Sequence, residues 1–243
     1  MTIELTGVSK RYASINGLNL TLEDGCAAAL VGESGSGKST LARLIALLER
    51  PDAGAIRFDG QNTAKLRGDA QRRLRADMQL ILQNAPAALD PRVRVGKSIA
   101  EPLRNLTRLS PAEVGMRISE VCGQFALAPE LLDRLPHELS GGQLKRVCFA
   151  RAFVTRPEFV VFDETTSGLN PSLRERVLEL ILKLKKESLR SFLFITHDMD
   201  AALRVADRVL VMRGGAIVED AAVVDGRAEF RHEYARLLLE STI

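Results

Sequence analysis

Apolar and polar positions alternate, or apolar positions run together, over much of the first third of the chain. Alternation that ends at turn-forming residues predicts half-buried β-strands, and an unbroken apolar run predicts a strand covered on both faces. The strands predicted in this way are "IELTGVSKRY", "LNLTLEDG", "CAAALV", "AIRFDG" and "MQLILQ". Between the third and the fourth, "TLARLIALL" has the apolar spacing of a helix.

Residues 88 to 138 have a different pattern, in which strand signals are scarce. Helical spacing is seen in "VGKSIAEPL", "SPAEVGMRISEVCGQFAL" and "APELLDRL". Ser110 followed by Pro111 is a typical helix cap and first-turn pair. A further helix is predicted from Gly141, with Leu144, Val147 and Cys148 on one face. This part of the chain is therefore predicted to be a mainly helical insertion.

Strand and helix patterns alternate in the rest of the chain. The predicted elements are a strand "FVVF", a helix "PSLRERVLELILKLKKE", a strand "SFLFITH", a helix "MDAALRVA", a hairpin "RVLVMRGGAIVED" and a terminal helix "HEYARLLLE". Such alternation predicts an α/β fold with a largely parallel sheet and helices on both faces.

Composition adds few constraints. The 243 residues are 46% hydrophobic and 27% charged, which is ordinary for a globular protein of one large or two small domains. The net charge of +3 is too small to indicate nucleic-acid binding. Neither a signal peptide nor a bilayer-spanning run is expected, so any work at a membrane would be done through partners.

The cysteines and the basic run are predicted to have structural roles. Cys26, Cys122 and Cys148 lie far apart, which argues against a metal motif or a disulfide framework and for a reducing compartment. We expect all three to be small buried residues. The basic run "KLRGDAQRRLR", residues 65 to 75, is interpreted as a solvated helix face.

The segment "GESGSGKS" fits the pattern G-x-x-x-x-G-K-[ST] and lies between a predicted strand and a predicted helix. Glycines let backbone N–H groups point at phosphate, and the helix start adds partial positive charge. Lys38 is expected to reach the β- and γ-phosphates, and the Ser39 hydroxyl to bind Mg²⁺. The predicted nucleotide-binding residues here are Gly32, Glu33, Ser34, Gly35, Ser36, Gly37, Lys38, Ser39 and Thr40.

Two carboxylates end the apolar strand "FVVFDE". The carboxyl ends of parallel strands hold the ligand in doubly wound sheets. Asp163 is therefore expected to hold Mg²⁺, and Glu164 to polarise the water that attacks the γ-phosphate. A surface Asp-Glu turn is the alternative, which the nearby phosphate loop disfavours.

Other polar residues follow strand-like runs, among them Gln83, Asn170 and His197. His137 and His232 are interpreted as surface or capping residues. The segment "LSGGQLKR", residues 139 to 146, has a serine and two glycines before a predicted helix. It therefore predicts a second anion cradle about a hundred residues after the first.

In this order, the phosphate loop, glutamine, "LSGGQ", carboxylate pair and histidine resemble the nucleotide-binding subunits of ATP-binding-cassette (ABC) transporters over essentially the whole chain. The resemblance implies a P-loop NTPase (RecA-like) core with an antiparallel β-subdomain, about residues 1–84 and 156–243. It also implies a helical ABC-specific subdomain, about residues 85–155. ATP and Mg²⁺ are the implied cofactors.

The family also implies that two ATPase subunits pack head to tail, so that the two cradles of one chain serve different nucleotides. In this family Ser140 and Gly142 of "LSGGQ" would bind the opposite subunit's γ-phosphate. The nucleotide-binding residues predicted from this segment are Ser140, Gly141, Gly142 and Gln143.

Further roles are carried over from the family. Tyr12 matches the aromatic residue that stacks on adenine. The structural alternative, a tyrosine half-buried in a strand, is compatible with that role. Gln83 matches the glutamine that touches Mg²⁺ and the water and senses the membrane partner. Glu164 matches the catalytic base, and His197 matches the switch histidine that holds the γ-phosphate.

The segments "LILQNAPAALDPR", "LPHELSGGQ" and "RHEYARLLL" resemble the dipeptide, oligopeptide and nickel uptake branch. The absence of a cysteine-bearing tail after Ile243 is closer to the nickel or metallophore type. The expectation is a Mg-ATPase at the cytoplasmic face of the bacterial inner membrane. Its expected partners are a second ATPase subunit, two transmembrane permease subunits and, indirectly, a solute-binding protein, with no nucleic acid.

Two positions depart from the family pattern. Asn170 in "TTSGLN" replaces an aspartate that helps the two sites communicate, and Asn84 replaces a common aspartate after Gln83. Both favour a heterodimer over a homodimer. The alternatives left open are a non-importer ABC ATPase, of the lipoprotein-release or cell-division type, and a degenerate regulatory subunit.

Overall fold

The computed structural model describes residues 1–189 and 191–240. The chain folds as two compact units. One unit is formed by Met1–Leu66 together with the chain from Glu158 onward, and the other by Arg67–Pro157.

The elements of the first unit come from both ends of the chain. Before the second unit lie β1 (Ile3–Lys10), β2 (Ile15–Leu22), β3 (Ala27–Val31), α1 (Lys38–Ile45), β4 (Ala53–Phe58) and β5 (Gln61–Asn62). The second unit contains α2 (Gly68–Asp77), β6 (Met78–Ile81), α3 (Val95–Leu106), α4 (Pro111–Gln124) and α5 (Gly141–Phe153). After it come β7 (Phe159–Asp163), α6 (Pro171–Glu187), β8 (Ser191–Thr196), α7 (Met199–Val205), β9 (Arg208–Arg213), β10 (Ala216–Ala222) and α8 (Glu233–Glu240).

The first unit contains an antiparallel sheet and a largely parallel one. Strands β2, β1, β4 and β5 form the antiparallel sheet in that order. In the other, β3 pairs in parallel with β8 and β9, β7 pairs in parallel with β8, and β10 is antiparallel to β9. The α/β fold class is confirmed, including the hairpin β9–β10. The carboxyl ends of β3, β7 and β8 lie along one edge, which gathers the loops that follow them.

Aromatic and aliphatic side chains fill the centre of the first unit. All residues of β3, β7 and β8 are buried, as their unbroken apolar runs predict. Phe162 and Phe192 pack edge to face, with 5.8 Å between ring centroids. This rigid sheet fixes the strand ends that carry the polar loops.

The second unit is mainly helical. Phe125 packs between Phe149 and Phe153, at centroid distances of 6.1 and 5.5 Å. The predicted cap at Ser110 is confirmed: its hydroxyl accepts from the Glu113 N–H and the Glu113 carboxylate accepts from the Ser110 N–H. The α-helices predicted for "VGKSIAEPL", for "SPAEVGMRISEVCGQFAL" and from Gly141 are therefore present, while the subdomain boundaries stay a prediction.

One of the predicted α-helices is not an α-helix in the structure. "APELLDRL" forms only a 3₁₀ turn, Pro129–Asp133, instead of an α-helix. Pro136 forces extended backbone on the residue before it, so too little chain remains for a stable α-helix.

The structural interpretations of cysteine and basic residues are confirmed with one difference. Cys122 and Cys148 are buried, and burial raises the pKa of Cys148 to about 11, but Cys26 is only half-buried. Arg72, Arg73 and Arg75 of α2 are exposed, as a solvated helix face requires. Among the described residues, no helix is long and apolar enough to cross a membrane.

Candidate functional site

The loop of residues 32 to 37 joins β3 to α1, and its glycines are required by geometry. A Cβ on Gly32 would lie 2.2 Å from the backbone oxygen of Met212 on β9. Gly37 has φ +106°, in the left-handed region that favours glycine. The loop backbone therefore follows a path that larger residues could not take.

Lys38 is the first residue of α1 and is 4% exposed. Its ammonium donates to the carbonyl oxygens of Gly32 and Glu33, both at 2.7 Å. Burial lowers the pKa of Lys38, and the charges of Glu164 and Asp163 oppose that effect. The loop thus wraps around a buried cation at the start of a helix, which suits a phosphate group.

Ser39 and Asp163 meet although they lie far apart in sequence. The Ser39 hydroxyl donates to Oδ1 of Asp163 at 3.1 Å, and Asp163 is 4% exposed. Burial raises the pKa of Asp163; the Ser39 hydrogen bond opposes the rise and the Glu164 charge adds to it.

A hydroxyl and a carboxylate held together at a phosphate loop are the hard oxygen ligands that Mg²⁺ takes alongside phosphate. Among the described residues, no group of three or more His, Cys, Asp or Glu could hold a metal by itself. The oxygen donors at Ser39 and Asp163 fit a magnesium ion by their chemistry.

Glu164 follows β7 with φ +47°, which is uncommon for a residue with a side chain. Its N–H donates to the Ile195 carbonyl of β8 at 2.9 Å, and its carbonyl accepts from Ser167 N–H at 3.0 Å. These two bonds hold a backbone conformation of the kind that clusters at functional sites. Glu164 is half-buried, at a bend that leads into the turn of residues 165–168, and its catalytic role stays a prediction.

His197 lies directly after β8 and is exposed. Its Nδ1 is 3.5 Å from the Ser167 hydroxyl. The next residue, Asp198, caps α7 by accepting from Ala201 N–H and also pairs with Arg174. The strand end and the helix cap therefore fix the backbone on both sides of His197.

Tyr12 lies in a 3₁₀ turn, Arg11–Ala13, and is 63% exposed, so the half-buried strand alternative is wrong. Its hydroxyl donates to Glu49 at 2.5 Å, and Arg43 donates to both Glu49, at 2.6 Å, and Thr40, at 3.1 Å. The sequence did not single out Arg43 or Glu49. Arg43 could have been found from its position three residues after Thr40 on α1, but nothing in the sequence marks Glu49.

The remaining predicted site residues belong to the second unit. Gln83 and Asn84 are exposed in a turn after β6. Ser140 caps α5: its hydroxyl accepts from Gln143 N–H at 3.3 Å, and its N–H donates to the Gln143 side chain at 2.8 Å. The N-terminus of a 13-residue helix is thus presented at an exposed serine.

Gly141 and Gly142 have no requirement for glycine among residues 1–189 and 191–240. Within these ranges a Cβ on either would meet no atom within 4 Å other than its chain neighbours and the backbone of its own helix, and neither has a positive φ. Glycine in a helix costs about 0.5–1 kcal/mol relative to alanine. The open space in front of α5 therefore suits close approach by something outside the chain.

Comparisons with known proteins agree with this geometry. The family model described as ABC transporter matches residues 15–167. The nickel import ATP-binding protein NikE of Brucella abortus (strain 2308) is 41% identical over 239 residues, 98% of this chain and 90% of that protein. The di/tripeptide transport ATP-binding protein DppF of Pseudomonas aeruginosa is 39% identical over 239 residues, 97% of this chain and 74% of that protein.

Solved structures also match the fold of this chain. The dimeric structure of MJ0796, a bacterial ABC transporter cassette, superposes with a TM-score of 0.80 at 28% identity, covering 91% of this chain and 99% of that one. The fold and the phosphate loop define a nucleotide-binding cassette. The chain belongs to the ABC transporter family, and as a cassette of that family it is an ATPase. The predicted resemblance is confirmed, including its branch.

Proposed function

We propose that this chain is the ATP-hydrolysing subunit that powers a bacterial importer for peptides, nickel or a metal-chelate complex. The observation that carries the proposal is the group formed by Lys38, Ser39, Asp163 and Glu164 at one sheet edge, in a chain similar over nearly its full length to nickel and peptide import subunits. Those relatives favour an importer over a lipoprotein-release or cell-division ATPase.

In this proposal ATP binds at the loop of residues 32 to 40. Lys38 exchanges its bonds to the Gly32 and Glu33 carbonyls for the β- and γ-phosphate oxygens, which suit a buried cation better. Tyr12, whose ring is largely exposed, stacks on the adenine. His197 holds the γ-phosphate from the end of β8.

Ser39, Asp163 and Gln83 are the proposed Mg²⁺ ligands, directly or through water. Bound Mg²⁺ would neutralise charge on the β- and γ-phosphates. Glu164 accepts a proton from the attacking water, and its backbone at the end of β7 is fixed by the bonds to Ile195 and Ser167.

The "LSGGQ" residues Ser140, Gly141, Gly142 and Gln143 are proposed to close on the nucleotide of a companion ATPase subunit. The open space that a Cβ on Gly141 or Gly142 would meet in the described part of the chain supports this. ATP binding would close the pair and hydrolysis reopen it. The helical region, about residues 85–155, would transmit the motion to two permease subunits at the cytoplasmic membrane face, which a solute-binding protein supplies.

A heterodimer is proposed because Asn170 departs from the family aspartate. The Asn170 side chain accepts from Leu173 N–H at 2.9 Å and caps α6. It therefore keeps the structural role of the position but not the negative charge that would couple two identical sites. A companion ATPase that retains the aspartate would restore one coupled site.

The test compares Glu164→Gln with Glu158→Gln, which changes an exposed glutamate before β7 in the same way. We expect Glu164→Gln to bind ATP and favour the closed pair with phosphate release lost, and Glu158→Gln to turn over normally. Phosphate release and equilibrium ATP binding are measured on the assembled transporter. Steady-state hydrolysis by Glu164→Gln at the wild-type rate would refute the proposed role.

A further inference from the structure

A tyrosine on the terminal helix contacts the phosphate loop directly. The N–H of Glu33 donates to the hydroxyl of Tyr234 at 3.0 Å, although the two residues are 201 positions apart. Tyr234 is 5% exposed and Glu33 is exposed, so this bond is part-buried. Tyr234 lies outside both "GESGSGKS" and "LSGGQ", the two motifs predicted to bind nucleotide.

The bond acts on the part of the loop that holds Lys38. The Glu33 N–H donates to the Tyr234 hydroxyl. The carbonyls of Glu33 and Gly32 accept from the Lys38 ammonium. The position of the Glu33 peptide therefore sets where Lys38 rests. A loop freed from Tyr234 would have more conformations to lose when it closes on phosphate.

Tyr234 is itself held firmly from the β9–β10 hairpin. The Arg213 guanidinium lies 4.6 Å from the centroid of the Tyr234 ring, a cation–π contact. The Glu219 carboxylate accepts from Arg231 N–H and His232 N–H, at 2.6 and 2.7 Å. The chain leading into α8 is thereby fixed.

The same hairpin supports the loop from its other end. Gly215 N–H donates to the Ser36 carbonyl at 3.0 Å, and the Met212 backbone leaves no room for a side chain at Gly32. The loop is thus held between the hairpin and a tyrosine that the hairpin also fixes.

We propose that Tyr234 is a positioning residue for ATP, whose hydroxyl ties the phosphate loop to the terminal helix and preorganises it for binding. The proposal rests on the proposed ATP-binding function. It assigns to α8 a part in setting nucleotide affinity.

The test is Tyr234→Phe, which removes the hydroxyl and keeps the ring under Arg213. A net hydrogen bond of ordinary strength corresponds to about a three- to ten-fold rise in the KM for ATP and in the Kd of a fluorescent ATP analogue, with kcat within about two-fold. The matched control is Ser191→Ala, because the buried Ser191 hydroxyl accepts from Gly25 N–H at 2.8 Å, away from the loop.

A purely structural role would lower the melting temperature in both variants and leave KM and Kd at wild-type values in both, which would overturn the proposal. Should Tyr234→Phe not fold, Arg213→Met removes the cation over the ring and is expected to raise Kd in the same direction by about two-fold or more; an unchanged Kd would then overturn it. Failure of the wild-type protein itself to bind ATP would instead overturn the proposed function.

Discussion

The Ser39 hydroxyl and the Asp163 carboxylate are joined by a hydrogen bond of 3.1 Å, across 124 positions of sequence. The pair brings the start of α1 against the end of β7. Because Asp163 is almost fully buried and its pKa is raised by burial, the site holds a carboxylate that is less stable when charged than it would be in water. Binding of Mg²⁺ with ATP would relieve that cost.

The first prediction is that Asp163→Asn makes the ligand-free protein more stable. The folded-state pKa lies above the unfolded value, so wild type loses stability as pH rises through the folded pKa, and the variant does not. The gain in melting temperature should therefore be present at pH 7 and shrink towards about pH 4. Melting curves across this range measure it, and a gain that does not change with pH would contradict the account.

The same variant should lose the stabilisation that Mg²⁺ and ATP give together. A ligand that binds only the folded state raises the melting temperature by mass action. Wild type should show a shift with Mg-ATP that exceeds its shift with ATP and chelator, and Asp163→Asn should show no such difference. An equal magnesium-dependent shift in both proteins would remove Asp163 from the metal site.

The second prediction separates stability from function at α5. Gly142→Ala should raise the free energy of unfolding by up to about 1 kcal/mol, because a Cβ there has open space and alanine favours helix. It should nevertheless lower ATP turnover of the assembled transporter by tenfold or more. Urea unfolding and phosphate release measure the two effects.

The matched control is Gly115→Ala, at an exposed glycine within α4 that likewise has open space. It should give a similar gain in stability with turnover unchanged. Turnover that is normal in both variants would mean that nothing approaches the start of α5 closely.

The third prediction concerns the adenine. Tyr12→Ala should weaken ATP binding by about 5- to 150-fold, the equivalent of a stacking contribution of about 1–3 kcal/mol. Tyr12→Phe keeps the ring and loses only the hydroxyl with its bonds to Glu49 and Arg43, so its Kd should stay within about threefold of wild type. Isothermal titration measures both, with Leu48→Ala as the control at another exposed apolar side chain; a Tyr12→Ala affinity equal to that control would remove Tyr12 from the site.

The fourth prediction concerns the cap of α6. Asn170→Ala should lower the free energy of unfolding by about 0.5–2 kcal/mol through loss of the bond to Leu173 N–H. Asn170→Asp keeps a capping oxygen, so stability should stay close to wild type while the restored charge raises the cooperativity of ATP hydrolysis in the assembled transporter. Denaturation curves and ATP saturation curves measure these, and equal stability of the Ala and Asp variants would show that the cap contributes nothing.

Periodicity predicted most of the fold, and motif spacing selected the candidate site residues. The apolar runs of β3, β7 and β8 identify parallel buried strands, and the residues that follow such strands must meet at one edge. Asp163 and His197 were chosen for that reason, and Lys38 was chosen from its glycine-rich motif; their roles stay predictions.

Contacts made by side chains from distant elements could not be predicted in this way. Tyr12 was identified, but not the Glu49 and Arg43 that bond to its hydroxyl. Tyr234 was noted only within a predicted terminal helix and within the segment "RHEYARLLL", without its contact to Glu33. Each of these contacts depends on how separate elements pack, and a pattern within one element carries no signal for it. The 3₁₀ turn Pro129–Asp133 differs for a related reason, since the backbone demand of a later proline outweighs helical spacing.

The most direct test of the account is a structure of the assembled transporter, carrying Glu164→Gln, with ATP and Mg²⁺. We predict that the triphosphate held by Lys38 of this chain faces the signature serine of its companion, and that Ser140 of this chain lies within hydrogen-bond distance of the γ-phosphate held by the companion. A closed, nucleotide-loaded assembly in which Ser140 contacts no nucleotide would contradict the proposed binding of ATP between the two subunits.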